Sequence, residues 1–177
     1  MKRFMFGLIV LAAAGQVACS GGPADLLEDG ALAMGSLSNE QPLETELIDK
    51  GKSSLEMFIE RHPNHVDADS ARFMLATLQE VGGYHVDAAQ NYLEILRQHP
   101  ESRFGAKSLI LAGHIYEAMY DYARARASYD RLIRDYPEHE FVTGGSAQWL
   151  LDNMGRSADD WPVPFDSVET DPGTSPQ

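Results

Sequence analysis

Two stretches of this chain repeat one another: YLEILRQHPESRF from Tyr92 to Phe104 and YDRLIRDYPEHEF from Tyr129 to Phe141. Tyr92/Tyr129, Arg97/Arg134, Pro100/Pro137, Glu101/Glu138 and Phe104/Phe141 are identical pairs, each 37 residues apart (129 − 92). A fainter copy, LEMFIERHPNHVD, begins at Leu55 and puts Pro63 one period before Pro100. A fixed period of this size marks stacked supersecondary units, each too small to bury its apolar face alone. The chain is thus constrained to a stack, whatever else it does.

The unit is helical. Apolar residues at 43, 47, 48, 55, 58 and 59 form a stripe of helical spacing that stops before Pro63. Further helices are predicted over about 69–81, 86–99, 103–119, 122–136 and 143–154, with turns at Gly82-Gly83 and near Tyr120-Asp121. Leu26–Met34 reads as a weak first helix interrupted by Gly30, and Gly35–Pro42 as loop. No stretch alternates with strand period, so the expected class is all-α, a helical-hairpin solenoid over 43–155 with about two full repeats and flanking helices. Residues 156–177, rich in Pro, Asp, Ser and Thr, have the composition of a disordered acidic tail.

The first residues, MKRFMFGLIVLAAAGQVACS, combine a basic start at Lys2 and Arg3 with an apolar run too short to span a bilayer, the build of an export signal over 1–18. The run leads to Cys19, the one cysteine of the chain. This stretch resembles a bacterial lipoprotein signal, which implies lipid on Cys19 and, with Ser20 next, an outer-membrane address; 19–42 would then hold the lipid-anchor tether, read at Ser20–Pro23, and the weak first helix. Gln16 departs from the apolar residue usual at that place. Ordinary cleavage after Ala12–Ala14, giving a soluble periplasmic protein, is the alternative. Loss of Lys2 and Arg3 leaves 12 of the 14 basic residues against 27 acidic ones, a formal charge of −15 that repels nucleic acid.

Within the repeat, small residues lie 12 apart on successive helices, Ala76 with Ala88 and Gly113 with Ala125, as close helix approach requires. Tyr92 and Tyr129 follow four residues on, then Ile95 and Leu132, then Pro100 and Pro137. With Leu109, Ala112 and Tyr116, this resembles the tetratricopeptide repeat, although Gln79 stands where Tyr116 has its earlier counterpart and the period exceeds the usual length of about 34. The longer junction, with phenylalanine four residues after the proline, resembles the repeats of bacterial envelope lipoproteins. The type it most resembles is the lipoprotein component of the outer-membrane β-barrel assembly machinery; periplasmic cell-division coordinator repeat proteins are the second. The resemblance implies a right-handed superhelix and a concave groove that binds protein or peptide.

The helix at 103–119 is apolar nearly all round, as a helix sandwiched between neighbours should be. Its polar strip is Lys107, His114 and Glu117 with Ile110 in the middle; one period earlier stand Ser70, Thr77 and Glu80 with Phe73 in the middle. The resemblance places this strip in the groove. Phe73 and Ile110 then serve as exposed anchors for a partner, or pack against the N-terminal segment or the tail.

Chemistry finds few carriers. KGKSS at Lys50–Ser54 lacks the first glycine of a phosphate loop, that place being Glu46. His62, His65, Asp67 and Asp69 coincide with a repeat junction where Asp67 or Asp69 serves as a helix cap, and no closed metal set is expected. Thr143–Ser146 is a cap without the nucleophile elbow, and Trp149 falls on a core position of the last helix. The expectation is a non-enzymatic binding protein of the envelope, with no cofactor, nucleic acid or small-molecule substrate. Trp161, Val163 and Phe165, alternating with Pro162 and Pro164, suit an extended segment that either caps the stack near Trp149 or binds a partner.

Overall fold

The computed structural model describes residues 22–37 and 45–156. Eight helices follow one another with no strand among the described residues: α1 (Pro23–Ser36), α2 (Thr45–Arg61), α3 (Ala68–Val81), α4 (His85–Gln98), α5 (Gly105–Ala118), α6 (Tyr122–Asp135), α7 (Glu140–Thr143) and α8 (Ser146–Asn153). They pack as consecutive hairpins α1–α2, α3–α4 and α5–α6, each hairpin lying on the next, with α8 against α6. This is the helical-hairpin solenoid of the tetratricopeptide type.

The repeat is written into the backbone as well as the side chains. The turn of α3–α4 closes with Gly83 N–H donating to the Glu80 carbonyl (3.0 Å) and Tyr84 N–H to Gln79 (2.8 Å). One period on, Tyr120 donates to Glu117 (2.9 Å) and Asp121 to Tyr116 (2.8 Å). Both are Schellman turns, which need a left-handed residue just past the helix. Gly83 supplies it at φ 81° and Tyr120 at φ 60°. The helix stops match too: His99 and Tyr136, each before proline, open to φ −135° and −133°, since the proline ring disfavours helical backbone in the residue before it.

The stack is deeper than the sequence suggested. Gly30 does not interrupt α1, which runs unbroken from Pro23 to Ser36. Gly30 is buried because Leu55 of α2 lies against it, and a methyl there would meet the Leu55 side chain. A methyl on Gly51 would likewise strike Ala33. Gly51, Leu55 and Phe58 stand 37 before Ala88, Tyr92 and Ile95, so α1–α2 is a third complete hairpin. Asp29 fastens it, accepting from Lys50 (2.8 Å) and Ser54 (2.9 Å), and the Lys50 hydrogen bond holds its carboxyl below the usual carboxylate range. The packed body thus starts at Pro23 rather than at Leu43.

One further expectation is corrected and two are sharpened. The predicted helix 143–154 is two elements, α7 and α8, divided at Gly145, whose φ of 79° breaks the helix. Asp67 occupies the N-cap of α3 without a side-chain cap bond; the His65 ring takes the Asp67 N–H instead, at 3.2 Å. Gly113 makes room for the ring of Tyr129 on α6, which supplies the nearest neighbours of an added methyl. Tyr92, Ala88, Ala125 and Tyr129 are fully buried and Tyr116 nearly so, in one core with Ala76, Ile95 and Ile115. A fully buried side chain of Leu or Phe size contributes about 1.5–3 kcal/mol, so these positions hold adjacent hairpins together. Pro100 and Pro137 stand just past α4 and α6. The signal, Cys19 and the tail from 157 on, Trp161 included, lie outside the described residues, whereas most of the span 19–42 read as tether and weak first helix is the helix α1.

Candidate functional site

The polar strip is carried by α3 and α5, and the core reaches into it. Tyr92, buried on α4, donates its hydroxyl to Glu80 at 3.0 Å. Tyr129, buried on α6, donates to Glu117 at 3.3 Å. Donor and acceptor pairs are each one period apart, so successive hairpins hold a carboxylate in the same way. Burial first, and then the neighbouring carboxylate, push both phenols well above their ordinary pKa, for Tyr92 against a lowering hydrogen bond from Thr77. Both hydroxyls therefore stay protonated as donors. Thr77 Oγ1 lies 3.0 Å from the Phe73 carbonyl and 3.0 Å from the Tyr92 hydroxyl.

Phe73 is not an exposed anchor. It is only 9% exposed, stacked on Phe104 with ring centroids 4.8 Å apart and tilted against Tyr92 at 5.4 Å. Lys107 covers its remaining side, with Nζ 5.4 Å from the ring centre. Neither the N-terminal segment nor the tail is needed to bury it, because the junction phenylalanine does. Ile110 is half-buried against the cluster of Leu96, Ala106, Leu109, Leu132 and Ala147. Ser70, Thr77, Glu80 and Glu117 are half-buried, while Lys107 and His114 are exposed. The face open to solvent is thus polar, with Glu80 and Glu117 held from below and Lys107 and His114 exposed.

Sequence reasoning passed over Phe104 and Phe141 at this site, although their identity at one period was the available signal. Phe141 stands edge-on to His114 at 6.1 Å, and His114 edge-on to Tyr129 at 6.0 Å. Beyond them a cleft of about 460 Å³ opens, lined by His114, Phe141, Gly145, Trp149 and Leu150. Trp149 is 48% exposed rather than a core residue. One and two periods earlier its place is taken by Ala112 and Leu75, which are 0% and 3% exposed. Leu75 packs with Leu55 and Phe58 of α2, and Ala112 in the cluster of Tyr92 and Tyr129 from α4 and α6; among the described residues, no helix follows α8.

A second, polar cleft of about 330 Å³ lies between α2, α3 and α4, with Lys52, Glu56, Gln79, Tyr84 and Asp87 among its lining. Gln79 occupies the place of the buried Tyr116 and accepts from Asn91 Nδ2 at 2.8 Å. A shorter side chain there leaves the space. His62 and His65 lie against the ring of Phe58, centroids 5.5 and 5.2 Å away. Among the described residues, no three of His, Cys, Asp and Glu converge where a metal ion could be held, and no helix is long and apolar enough to cross a membrane.

Residues 108–139, from α5 through the end of α6 and past Pro137, match the tetratricopeptide repeat family. No curated protein matches the chain. The match covers one hairpin, and the same Schellman turn and tyrosine–carboxylate pair recur in α3–α4. The chain carries a repeat whose fold is that of a protein-interaction scaffold.

Proposed function

We propose that the chain is an exported scaffold, held at a membrane by lipid on Cys19, which grips a segment of another envelope protein along the strip of α3 and α5. The single observation that carries the reading is the paired anchoring of Glu80 by Tyr92 and Glu117 by Tyr129. An ionised carboxylate has about four lone-pair sites, and the tyrosine occupies one. The remaining sites are acceptors already held in place, so less ordering entropy is lost when a partner donates to them. A segment rich in backbone N–H, Lys or Arg suits them and suits the acidic chain. The proposed role is display of this strip to a partner. The outer membrane facing the periplasm is the proposed address and assembly of outer-membrane proteins the proposed process.

Co-purification from detergent-solubilised membranes, followed by mass spectrometry, tests it. The Glu80→Gln/Glu117→Gln pair should lose at least nine-tenths of the captured partner while keeping the wild-type circular dichroism. Equal capture by both proteins would remove the strip from the argument. Cys19→Ala should move the protein from membrane pellet to soluble fraction. A wild type already soluble and without a lipid adduct by mass would instead support a soluble periplasmic adaptor of cell-wall or division complexes, the reading that Gln16 favours.

A further inference from the structure

The second helices of the hairpins bound two grooves that lie one period apart and differ in chemistry. The first, about 410 Å³, runs between α2 and α4 over α3, with Glu56, Gln79, Asp87 and Glu94 in its lining. The second, about 310 Å³, runs between α4 and α6 over α5. There Leu93, Tyr116, Arg124 and Arg131 stand at the same places, each 37 residues on. The two grooves are one feature of the repeat, built once with carboxylates and once with arginines.

The charges sit on the outer ridges of two helices. Asp87, Gln90 and Glu94 follow one another along α4, and Arg124, Ala127 and Arg131 along α6. In each set the charged pair is two helical turns apart, about 10 Å along the axis. Among the described residues, the carboxylates of Glu56 and Asp87 pair with no side chain. Glu94 is held by Arg97 and Gln98, Arg124 by Asp121 at 3.3 Å and Arg131 by Asp135 at 3.1 Å. Each of these local pairs leaves further acceptor or donor sites. Gln79, only 8% exposed, accepts from Asn91 through Oε1. Its Nε2 has no acceptor among the described residues, and a donor so nearly buried is satisfied by what is brought to the groove.

We infer that a second copy of this chain docks here about a two-fold axis, the α6 ridge of each copy entering the acidic groove of the other and the α4 ridge the basic groove. Ridges entering grooves is the ordinary way helices pack. The two-fold reverses the helix direction, so Arg131 meets the partner's Asp87 and Arg124 the partner's Glu94, and each contact is made twice. The equal spacing on α4 and α6 lets both pairs form together. Gln79, near the end of α3, and Asp87, in the first turn of α4, share one end of the acidic groove. The partner's Asp130, next to its arginine on α6, is the acceptor brought to Gln79. In a chain with 27 acidic residues against 14 basic ones, the four arginines of α6 are a local exception, and the carboxylates that match two of them in spacing are on α4. None of these residues belongs to the polar strip, so the inference is independent of the proposed partner site.

Sedimentation equilibrium of the full chain with Cys19→Ala, which bears no lipid at that position, tests it. This parent should be a dimer at tens of micromolar. Raising the salt from about 0.05 to 0.5 M should weaken the dimer at least tenfold, as the ion pairs are screened. Asp87→Arg/Glu94→Arg and Arg124→Glu/Arg131→Glu, each added to the parent, should be monomeric with unchanged circular dichroism, because either reversal sets like charges together. Mixed, the two variants should form a one-to-one dimer, since their reversed charges match. A monomeric parent would overturn the inference and leave the acidic groove to a basic segment of another protein. A dimer indifferent to salt, or one that both reversals keep, would overturn it in favour of a contact elsewhere on the chain.

Discussion

Phe73 and Phe104 stack with ring centroids 4.8 Å apart and 21° between their planes, although they lie on opposite sides of the α3–α4 hairpin in sequence. The contact turns a residue on the apparent binding face into part of the core. Phe73→Ala should therefore destabilise the protein by about 3–4 kcal/mol, the usual cost of emptying a buried aromatic site. Chemical denaturation measures this directly. A change within about 0.5 kcal/mol, as at exposed positions, would return Phe73 to the partner surface.

Gly113 decides how closely α5 approaches α6. A methyl there would overlap the Tyr129 ring, so Gly113→Ala should cost about 1–3 kcal/mol through overpacking. Gly35 on α1 has nothing within 4 Å of the same added atom. Gly35→Ala should stabilise by about 0.5–1 kcal/mol, since alanine loses less backbone entropy in a helix. Opposite signs for the two substitutions in thermal melts are the expected result.

The repeat was legible where nearest neighbours dictate the residue. Tyr92 and Tyr129, Ala88 and Ala125, Pro100 and Pro137 recur because each faces the same local environment. The α1–α2 hairpin was hidden because Gly51, Leu55 and Phe58 fill those places with other residues, and α1 and α2 are separated by residues 37–44 where later hairpins use three. Gly30 reads as a helix break in sequence, whereas the Leu55 side chain lying against it explains the glycine. Phe73 and Trp149 were misplaced for one reason: a helical wheel shows what one helix offers and not what another brings to it. Phe104 arrives over the first, and α8 lacks a described second helix over the next.

Tyr120 holds the left-handed position that Gly83 holds one repeat earlier, at φ 60° and with its side chain 79% exposed. The left-handed region costs a non-glycine residue about 1–2 kcal/mol, and glycine returns about 0.5–1 of this through its freer unfolded chain. Tyr120→Gly should stabilise by about 0.5–1 kcal/mol net, read as a higher denaturation midpoint. A lower midpoint would mean that the edge contact of Tyr120 with Tyr122, centroids 6.3 Å apart, outweighs the backbone cost.

Ser108, fully buried on α5, carries a hydroxyl oxygen without a hydrogen-bond partner. Burying an unpaired polar group costs about 1–3 kcal/mol. Ser108→Ala removes the group and should leave the protein equally or more stable, by up to about 1 kcal/mol once the small lost volume is counted. Loss of stability in the same denaturation assay would show that a water or another group satisfies the hydroxyl.

The tyrosine–carboxylate pairs predict how the fold fails at high pH. Burial and the nearby Glu80 and Glu117 raise the pKa of Tyr92 and Tyr129 in the folded state, whereas an unfolded tyrosine ionises near about 10. A group with a raised folded pKa contributes its full stability below the unfolded value and loses it as pH climbs toward the folded one. Stability should therefore be level with respect to these two groups up to about pH 10 and fall above it, as unfolded chains ionise first. Tyr92→Phe/Tyr129→Phe removes both phenols. It should lose stability at neutral pH by about 0.5–1.5 kcal/mol for each hydrogen bond, yet decline less steeply than wild type above pH 10. Parallel curves for the two proteins between pH 9 and 11 would show that these hydroxyls are not held by the carboxylates, and the anchored strip would lose its support.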